Sequence, residues 1–174
     1  MSQSRVLYSG RIVTLRLEEA TLPNGRHVSL EIVRHPGAAA IVALDTDERV
    51  CLVHQFRYAA AGFIWEVPAG TLGRDEAPEA CARRELQEEA GLVAEDWTAL
   101  GSIFTAPGFC DERIHLFLAR HLSDAPGHLD EDEVLTVSRV PLAQALAMIR
   151  NGEIADAKSI ASLHRAAAAL GRLG

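Results

Sequence analysis

A 23-residue segment from Gly70 to Leu92, GTLGRDEAPEACARRELQEEAGL, constrains this chain more than any other feature. Its pattern is G-x5-E-x7-R-E-U-x-E-E-x-G-U, where U is a bulky aliphatic residue. The fixed positions are Gly70, Glu76, Arg84, Glu85, Glu88, Glu89 and Gly91, with Leu86 and Leu92 at the U positions. At average residue usage, chance would produce this combination on the order of once in ten million such chains. The segment therefore reflects a specific structural or chemical demand.

The second half of this segment predicts a helix. Pro78 near its start and Gly91 just past its end are typical helix start and stop signals. Between them, Ala82, Leu86 and Ala90 recur at a spacing of four residues, which predicts that they face the core.

Three carboxylates lie on one stripe of the predicted helix. Glu88 and Glu89 follow Glu85 by three and four residues, so their like charges repel, and Arg84 can neutralise only one of them. Clustered carboxylate oxygens are what a hard divalent cation such as Mg²⁺ binds, usually together with substrate phosphates. A solvated Glu/Arg face on a surface helix is the alternative, and the glycines and arginine in register argue against it.

This segment is identified as the complete Nudix signature, and the chain resembles the Nudix hydrolase family. The resemblance implies that Mg²⁺ or Mn²⁺, as two or three ions, is held by Glu85, Glu89 and the backbone carbonyl of Ala69. It also implies a supporting role for Glu88, while Arg84 orients the glutamates. Gly70 is expected to give the loop before the helix a tight bend, and Gly91 to end the helix.

The composition fits a single enzyme domain that has no general surface for nucleic acid or anionic membranes. The chain has 174 residues, 48% of them apolar, and a net charge of −7, which argues against a general nucleic-acid or anionic-membrane surface. No segment approaches the ~20 apolar residues of a membrane span, and the N-terminus lacks a signal peptide, so we expect a cytoplasmic protein. Three scattered cysteines predict reduced thiols. Lys158 is the only lysine, which we attribute to coding composition.

The order of the predicted elements indicates the fold class. Alternating or β-branched runs predict strands at 5–8, 12–18, 28–34, 38–44, 50–56, 65–68, 97–105, 113–120 and 134–140. Apolar residues at helical spacing predict helices at 142–150 and 157–170. This order predicts an α/β/α sandwich around mixed sheets, as the Nudix resemblance also implies. We expect an N-terminal antiparallel β extension over residues 1–36 and a Nudix hydrolase domain over 37–174.

A second segment, residues 105–112, indicates which branch of the family the chain resembles. Its Pro107 lies 16 residues past Gly91 in a PGF-x-DE setting, which looks like the ADP-ribose pyrophosphatase branch of the family. Without the upstream segment, Pro-Gly would indicate only a turn. This resemblance implies that Gly108, Phe109 and Glu112 contact substrate. It also implies a homodimer, since the extra N-terminal strands of that branch pair or swap between two subunits.

Two charged residues precede the signature. Arg57 ends a predicted strand near the site, and its planar fork suits phosphate oxygens. Glu66 lies two residues before Pro68, at a strand edge that faces the metals or sugar in similar enzymes. We predict that both bind substrate. An ordinary surface ion pair is the alternative.

The acidic run at 130–133 is the third element of interest. Four adjacent acids are usually a solvated loop, but similar pyrophosphatases carry a catalytic glutamate on a loop here. The resemblance makes Glu131 the candidate general base and Glu133 a candidate metal ligand, with Asp130 and Asp132 as alternatives.

These features predict a metal-dependent enzyme that hydrolyses the diphosphate bridge of a nucleoside diphosphate sugar. ADP-ribose, giving AMP and ribose 5-phosphate, is the expected substrate, and GDP-mannose or another nucleotide sugar is the closest alternative. A hydrolase of damaged nucleoside triphosphates fits less well, because small members of that type lack the first 36 residues. A ligand-sensing Nudix-like module usually loses signature glutamates. An isomerase would need a cysteine such as Cys110 in the site.

Overall fold

A computed structural model of the protein describes residues 4–129 and 133–173. The strands are β1 (Ser4–Ser9), β2 (Thr14–Thr21), β3 (His27–Arg34), β4 (Ala38–Ala43), β5 (Arg49–Arg57), β6 (Gly62–Glu66), β7 (Ala69–Thr71), β8 (Leu92–Phe104), β9 (Arg113–Asp124) and β10 (Leu135–Pro141). The helices are α1 (Pro78–Ala90), α2 (Leu142–Arg150) and α3 (Ala157–Ala169). None of these helices is both long and apolar enough to cross a bilayer.

The strands form three sheets. The first three strands make an antiparallel sheet of their own in the order β1-β2-β3, which is the predicted N-terminal extension. A mixed sheet has the order β7-β4-β9-β8, with β4 and β9 parallel. A smaller antiparallel sheet has the order β10-β5-β6.

Strand β4 lies at the centre of the molecule and contributes to two hydrophobic cores. All six of its residues are buried, and successive side chains point to opposite faces of the sheet. Ala38, Ala40 and Val42 belong to a core shared with α2 and α3. Ala39, Ile41 and Ala43 belong to a core shared with α1. The helices therefore cover both faces of the mixed sheet, which confirms the predicted α/β/α sandwich.

Helix α1 begins and ends where the sequence predicts. Pro78 occupies its first turn, and Ala82 and Leu86 are fully buried against the sheet. Gly91 follows the helix with φ 63°, a left-handed conformation that favours glycine, and its amide donates to the Gln87 carbonyl at 2.9 Å. Strand β8 then starts at once, five residues before the predicted start at 97.

The predicted strand at 65–68 is confirmed only at Trp65 and Glu66, which end β6, whereas Val67 and Pro68 cross to another sheet. Strand β6 ends at Glu66, and the short β7 was not predicted. Between them, the amide of Val67 donates to Ser159 Oγ on α3 at 2.8 Å, and Pro68 has no amide to donate. Because neither residue donates to a neighbouring strand, the chain leaves one sheet and enters the other at this point.

Candidate active site

One cavity of about 750 Å³ collects most of the predicted site residues. Its lining comes mainly from α1, the ends of β5 and β6, strand β7, the first turn of α3 and the loop between β8 and β9. The N-terminal extension also contributes, through Arg11 and Ile12 between β1 and β2. Of the predicted residues it includes Arg57, Glu66, Ala69, Arg84, Glu85, Glu88, Glu89, Glu112 and Glu133. This volume is in the range typical of small-molecule sites.

Two signature glutamates are buried at the cavity wall. Glu85 and Glu89 are one helical turn apart on α1, with 8% and 4% of their surfaces exposed. The Ala69 amide donates to Glu89 Oε2 at 2.9 Å. Burial raises the pKa of Glu85, and it raises the pKa of Glu89 to about 8. Burial therefore makes both carboxylates costly to ionise, and for Glu85 the neighbouring Arg84 offsets only part of this cost.

Arg84 holds the glutamates in place. Its Nη1 donates to Glu85 Oε1 at 2.6 Å and to Glu88 Oε2 at 2.8 Å. Its Nε and Nη2 donate to the two carboxylate oxygens of Glu76 at 2.9 and 3.0 Å. Arg84 has a single positive charge to balance the stripe, as expected, but its planar fork contacts Glu85 and Glu88 of the stripe together with Glu76. The hydrogen bonds from Arg84 lower the pKa of Glu76 to about 2.

Gly70 has a different purpose from the one predicted. It lies inside β7 rather than in a bend, and it is not among the described glycines with positive φ. A Cβ atom at this position would lie 1.9 Å from the carboxylate of Glu85. Glycine is required here because the backbone of β7 and the buried carboxylate approach each other too closely for any side chain.

The donor set fits a divalent cation shared with a substrate. Among the described residues, no three His, Cys, Asp or Glu side chains converge as a ready-made metal cluster. Mg²⁺ is commonly held by only one or two carboxylates, with substrate phosphates and waters completing its shell. Glu85, Glu89 and Ala69 all line the cavity, so the two carboxylates and the Ala69 carbonyl are candidates for such a partial shell.

The wall formed by β5, β6 and α3 holds two basic side chains that are paired with two acidic ones. Arg57 Nε donates to Glu66 Oε2 at 2.8 Å, and Lys158 Nζ donates to the other oxygen of Glu66. Lys158 also donates to Asp156 Oδ2 at 3.0 Å. Both oxygens of Glu66, whose surface is 3% exposed, are therefore engaged by cations. Its position favours holding Arg57 over meeting a metal or a sugar directly.

Sequence reasoning missed Lys158 and Gln55, which also line this cavity. The one available signal for Lys158 was that it is the only lysine among 17 basic residues and lies two positions after the Asp156 helix cap. Gln55 is 4% exposed, and its Oε1 is buried without a hydrogen-bond partner among the described residues. An alternating strand pattern carries no signal for such a buried amide.

The segment at 105–112 reaches the cavity only in part. Glu112 lines it and accepts a hydrogen bond from Thr105 Oγ1 at 2.9 Å. Gly108 and Phe109, which we predicted to contact substrate, are not among the described residues of the lining. The Phe109 amide donates to the Ala106 carbonyl at 3.0 Å, and this turn leaves Phe109 58% exposed outside the cavity.

The acidic run is described only at its end. Glu133 lines the cavity, and its charge contributes to the raised pKa values of Glu85 and Glu89, after burial as the main cause. The candidate base Glu131 and its alternatives Asp130 and Asp132 lie outside the described residues.

Comparison with known proteins agrees with this geometry. The NUDIX domain model matches residues 33–163. The chain is 42% identical over 155 residues to the ADP-ribose pyrophosphatase of Bacillus subtilis (strain 168), which covers 88% of this chain and 84% of that protein. It is 42% identical over 157 residues to the methanol dehydrogenase activator of Bacillus methanolicus, with coverage of 88% and 84%. It is 36% identical over 159 residues to the GDP-mannose pyrophosphatase of Citrobacter koseri (strain ATCC BAA-895 / CDC 4225-83 / SGSC4696), with coverage of 84% and 82%.

A solved structure shares the fold. The crystal structure of an ADP compounds hydrolase superimposes with a TM-score of 0.83 at 21% identity and covers 99% of this chain and 96% of that chain. The family model spans most of the chain and includes the Arg84 clamp and the buried glutamates of α1. The chain belongs to the NUDIX family, whose hydrolases use divalent metal ions.

Proposed function

We propose that the protein hydrolyses the diphosphate bridge of a nucleoside diphosphate sugar, with ADP-ribose as substrate and AMP and ribose 5-phosphate as products. The observation that most supports this proposal is that the buried pair Glu85 and Glu89 shares one cavity with Arg57. Such a cavity can hold a substrate whose two phosphates need both metal and arginine contacts. The 42% identity to an ADP-ribose pyrophosphatase supports the choice of substrate.

We assign different roles to the two walls of the cavity, phosphate binding to one and metal binding to the other. Arg57, held by Glu66, offers its remaining guanidinium nitrogens to phosphate oxygens. Glu85, Glu89 and the Ala69 carbonyl would hold Mg²⁺ or Mn²⁺, as two or three ions, with Glu133 as a further ligand. When bound, these ions supply charge neutralisation of the diphosphate and acidification of a water molecule. Arg84 and Glu88 keep the ligand carboxylates oriented.

A carboxylate must also take the proton from the attacking water, and Glu131 is our candidate. We expect Glu131→Gln to lower kcat by roughly a hundredfold or more, the usual contribution of a general base, with little change in Mn²⁺ affinity. Glu133→Gln is the contrasting variant, since Glu133 is proposed as a metal ligand and its loss should weaken Mn²⁺ binding. If Glu133→Gln is the slower enzyme and Glu131→Gln is close to wild type, Glu131 is not the base.

A second candidate substrate is GDP-mannose. The 36% identity to a GDP-mannose pyrophosphatase over most of the chain favours it. It would use the same glutamates and the same arginines, so the two functions differ only in the nucleobase and sugar contacts.

Phosphate release after coupling to alkaline phosphatase tests both functions. The panel contains ADP-ribose, GDP-mannose, UDP-glucose, NADH, diadenosine polyphosphates and dGTP, each with Mg²⁺ and with EDTA. A Mg²⁺-dependent preference for ADP-ribose of about tenfold or more supports the proposal. Faster turnover of GDP-mannose than of ADP-ribose would favour the second function. No turnover of any substrate would contradict both and favour a ligand-sensing role.

The N-terminal extension supports a homodimer as the assembly. Its strand β1 is exposed throughout, and Val6 and Tyr8 are 50% and 60% exposed. Apolar side chains on an exposed sheet are typical of a surface that is covered by a partner. Light scattering that gives the mass of one chain would contradict this. We also place the protein in the cytoplasm, where its free cysteines would stay reduced.

A further inference from the structure

The N-terminal sheet is joined to the loop between β8 and β9 by backbone hydrogen bonds. At the end of β3, the Val33 amide donates to the Phe109 carbonyl at 2.7 Å. The Asp111 amide in turn donates to the Val33 carbonyl at 3.1 Å, so that Val33 and Cys110 form a parallel bridge. The loop therefore adds one parallel bridge, at Cys110, to the N-terminal sheet beside the end of β3.

The side chain of Asp111 strengthens this junction. Arg34 Nη1 donates to its Oδ2 at 2.9 Å, and the His35 amide donates to its Oδ1, also at 2.9 Å. Arg34 is itself fixed by Glu18 on β2, whose Oε2 lies 2.7 Å from Nη2. Burial alone would raise the pKa of Asp111, but the hydrogen bonds from Arg34 and His35 outweigh it and lower the pKa. The carboxylate is thus charged and held from two sides by the extension.

The next residue in the chain belongs to the cavity. Glu112 lines the cavity, whereas Asp111 is not among the described residues of the lining. Glu112 is held by Thr105 Oγ1 at 2.9 Å, and His35 Nδ1 lies 3.5 Å from its other oxygen, Oε1. Asp111 and Glu112 are consecutive, so the junction that holds Asp111 also fixes the backbone from which the Glu112 side chain extends.

We propose that Asp111 is a positioning residue through which the N-terminal sheet holds Glu112 in the substrate cavity. It acts on substrate binding through Glu112 and does not touch the reacting atoms. This role rests on the proposed function, because it assumes that the cavity binds a nucleoside diphosphate. It also gives the extension a direct part in the site, in addition to the dimer contacts proposed above.

The test is Asp111→Asn, which keeps an acceptor for the His35 amide but removes the charge that pairs with Arg34. We expect KM for ADP-ribose to rise roughly tenfold while kcat stays within about twofold, because a misplaced binding group weakens substrate binding without changing the metal ligands. Hydrogen–deuterium exchange should become faster for the amides of Val33, His35 and Asp111 and stay unchanged in α1.

Asp96→Asn is the matched control. Asp96 also pairs with basic side chains, since its Oδ2 lies 3.1 Å from His121 Nε2 and 3.9 Å from Arg120 Nη2, but it is not among the described residues of the cavity lining. Its KM and its exchange near Val33 should match wild type.

Several outcomes would overturn the proposal. Faster exchange at the junction with an unchanged KM would mean that the junction does not serve the site. Faster exchange throughout the molecule, with a lowered Tm, would mean that Asp111 only stabilises the fold. Unchanged exchange and KM would mean that the charge is not needed. If wild type turns over no diphosphate substrate, the proposed function fails as well, whereas exchange at the junction still reports whether Asp111 holds the loop.

Discussion

Replacing Glu89 with glutamine is expected to lower kcat by roughly a thousandfold or more, the scale expected when catalysis loses a charged group that holds a metal. Glu89 is 4% exposed and accepts a hydrogen bond from the Ala69 amide. The amide oxygen of glutamine can still accept that hydrogen bond, so the fold should be retained while the negative charge is lost. The measurement is steady-state turnover of ADP-ribose with Mg²⁺, together with Mn²⁺ binding followed by electron paramagnetic resonance.

Glu79→Gln is the matched control for this variant. Glu79 lies on the same helix and forms an exposed ion pair with Arg83 at 2.8 Å, with a side chain that is 52% exposed. Exposed pairs of this kind contribute at most about 1 kcal/mol, so activity and fold should both be close to wild type. Near-wild-type activity of Glu89→Gln would show that Glu89 is not a metal ligand.

The same variant should change how stability depends on pH. Burial raises the pKa of Glu89 to about 8, against 4.5 for an ordinary glutamate. Between these values the unfolded chain has lost this proton and the folded chain has kept it, so the free energy of unfolding falls as pH rises from 4.5 to about 8. In EDTA, Glu89→Gln should lack this contribution. Urea denaturation at pH 5 and pH 8 measures it, and an equal decline in both proteins would contradict it.

Replacing Gly70 with alanine is the second change with a large expected effect. The new Cβ would lie 1.9 Å from the Glu85 carboxylate, a distance at which something must move. Glu85 is buried and held by Arg84, so it cannot swing into solvent without breaking that contact. We expect kcat/KM to fall by roughly a hundredfold or more, because the carboxylate that we propose as a metal ligand is displaced from the cavity wall. Turnover and Mn²⁺ affinity should fall together.

Gly62→Ala provides the matched control for Gly70→Ala. Gly62 is also a strand glycine, it is not among the described glycines with positive φ, and its added Cβ would meet nothing within 4 Å. Its activity should equal that of wild type. If Gly70→Ala is equally active, the close approach of β7 to Glu85 is not required for catalysis.

The sequence predicted those parts of the site whose spacing is set by one helix. Glu85 and Glu89 lie where a repeat of four residues places them, and Gly91 adopts the left-handed conformation expected after a helix. The fold class followed for the same reason, since each apolar run alternates or repeats locally. What local spacing cannot give is distance between segments far apart in the chain. The approach of Gly70 on β7 to Glu85 on α1 depends on such packing between elements, whereas the carboxylate partners of Arg84 are all within eight residues of it in the chain.

Lys158 also shows that local sequence patterns do not reveal contacts between distant segments. Its partner Glu66 is 92 residues away in the chain and meets it only because α3 begins beside the end of β6. A lysine in the first turn of a helix opposes the helix dipole, which is an unfavourable position unless carboxylates such as Glu66 and Asp156 compensate. That position was a signal in the sequence, but it could not be interpreted without knowing which acids lie nearby.

The arrangement of β4 has a consequence for how the protein unfolds. Ile41 and Val42, adjacent in the chain, are fully buried in different cores, so neither helical layer can separate without exposing the strand between them. The two layers therefore form a single cooperative unit rather than two independent ones. A cavity created beside α3 would destabilise α1 as well, and the arrangement of the α1 glutamates would be lost in the same transition as the packing on the opposite side of the sheet.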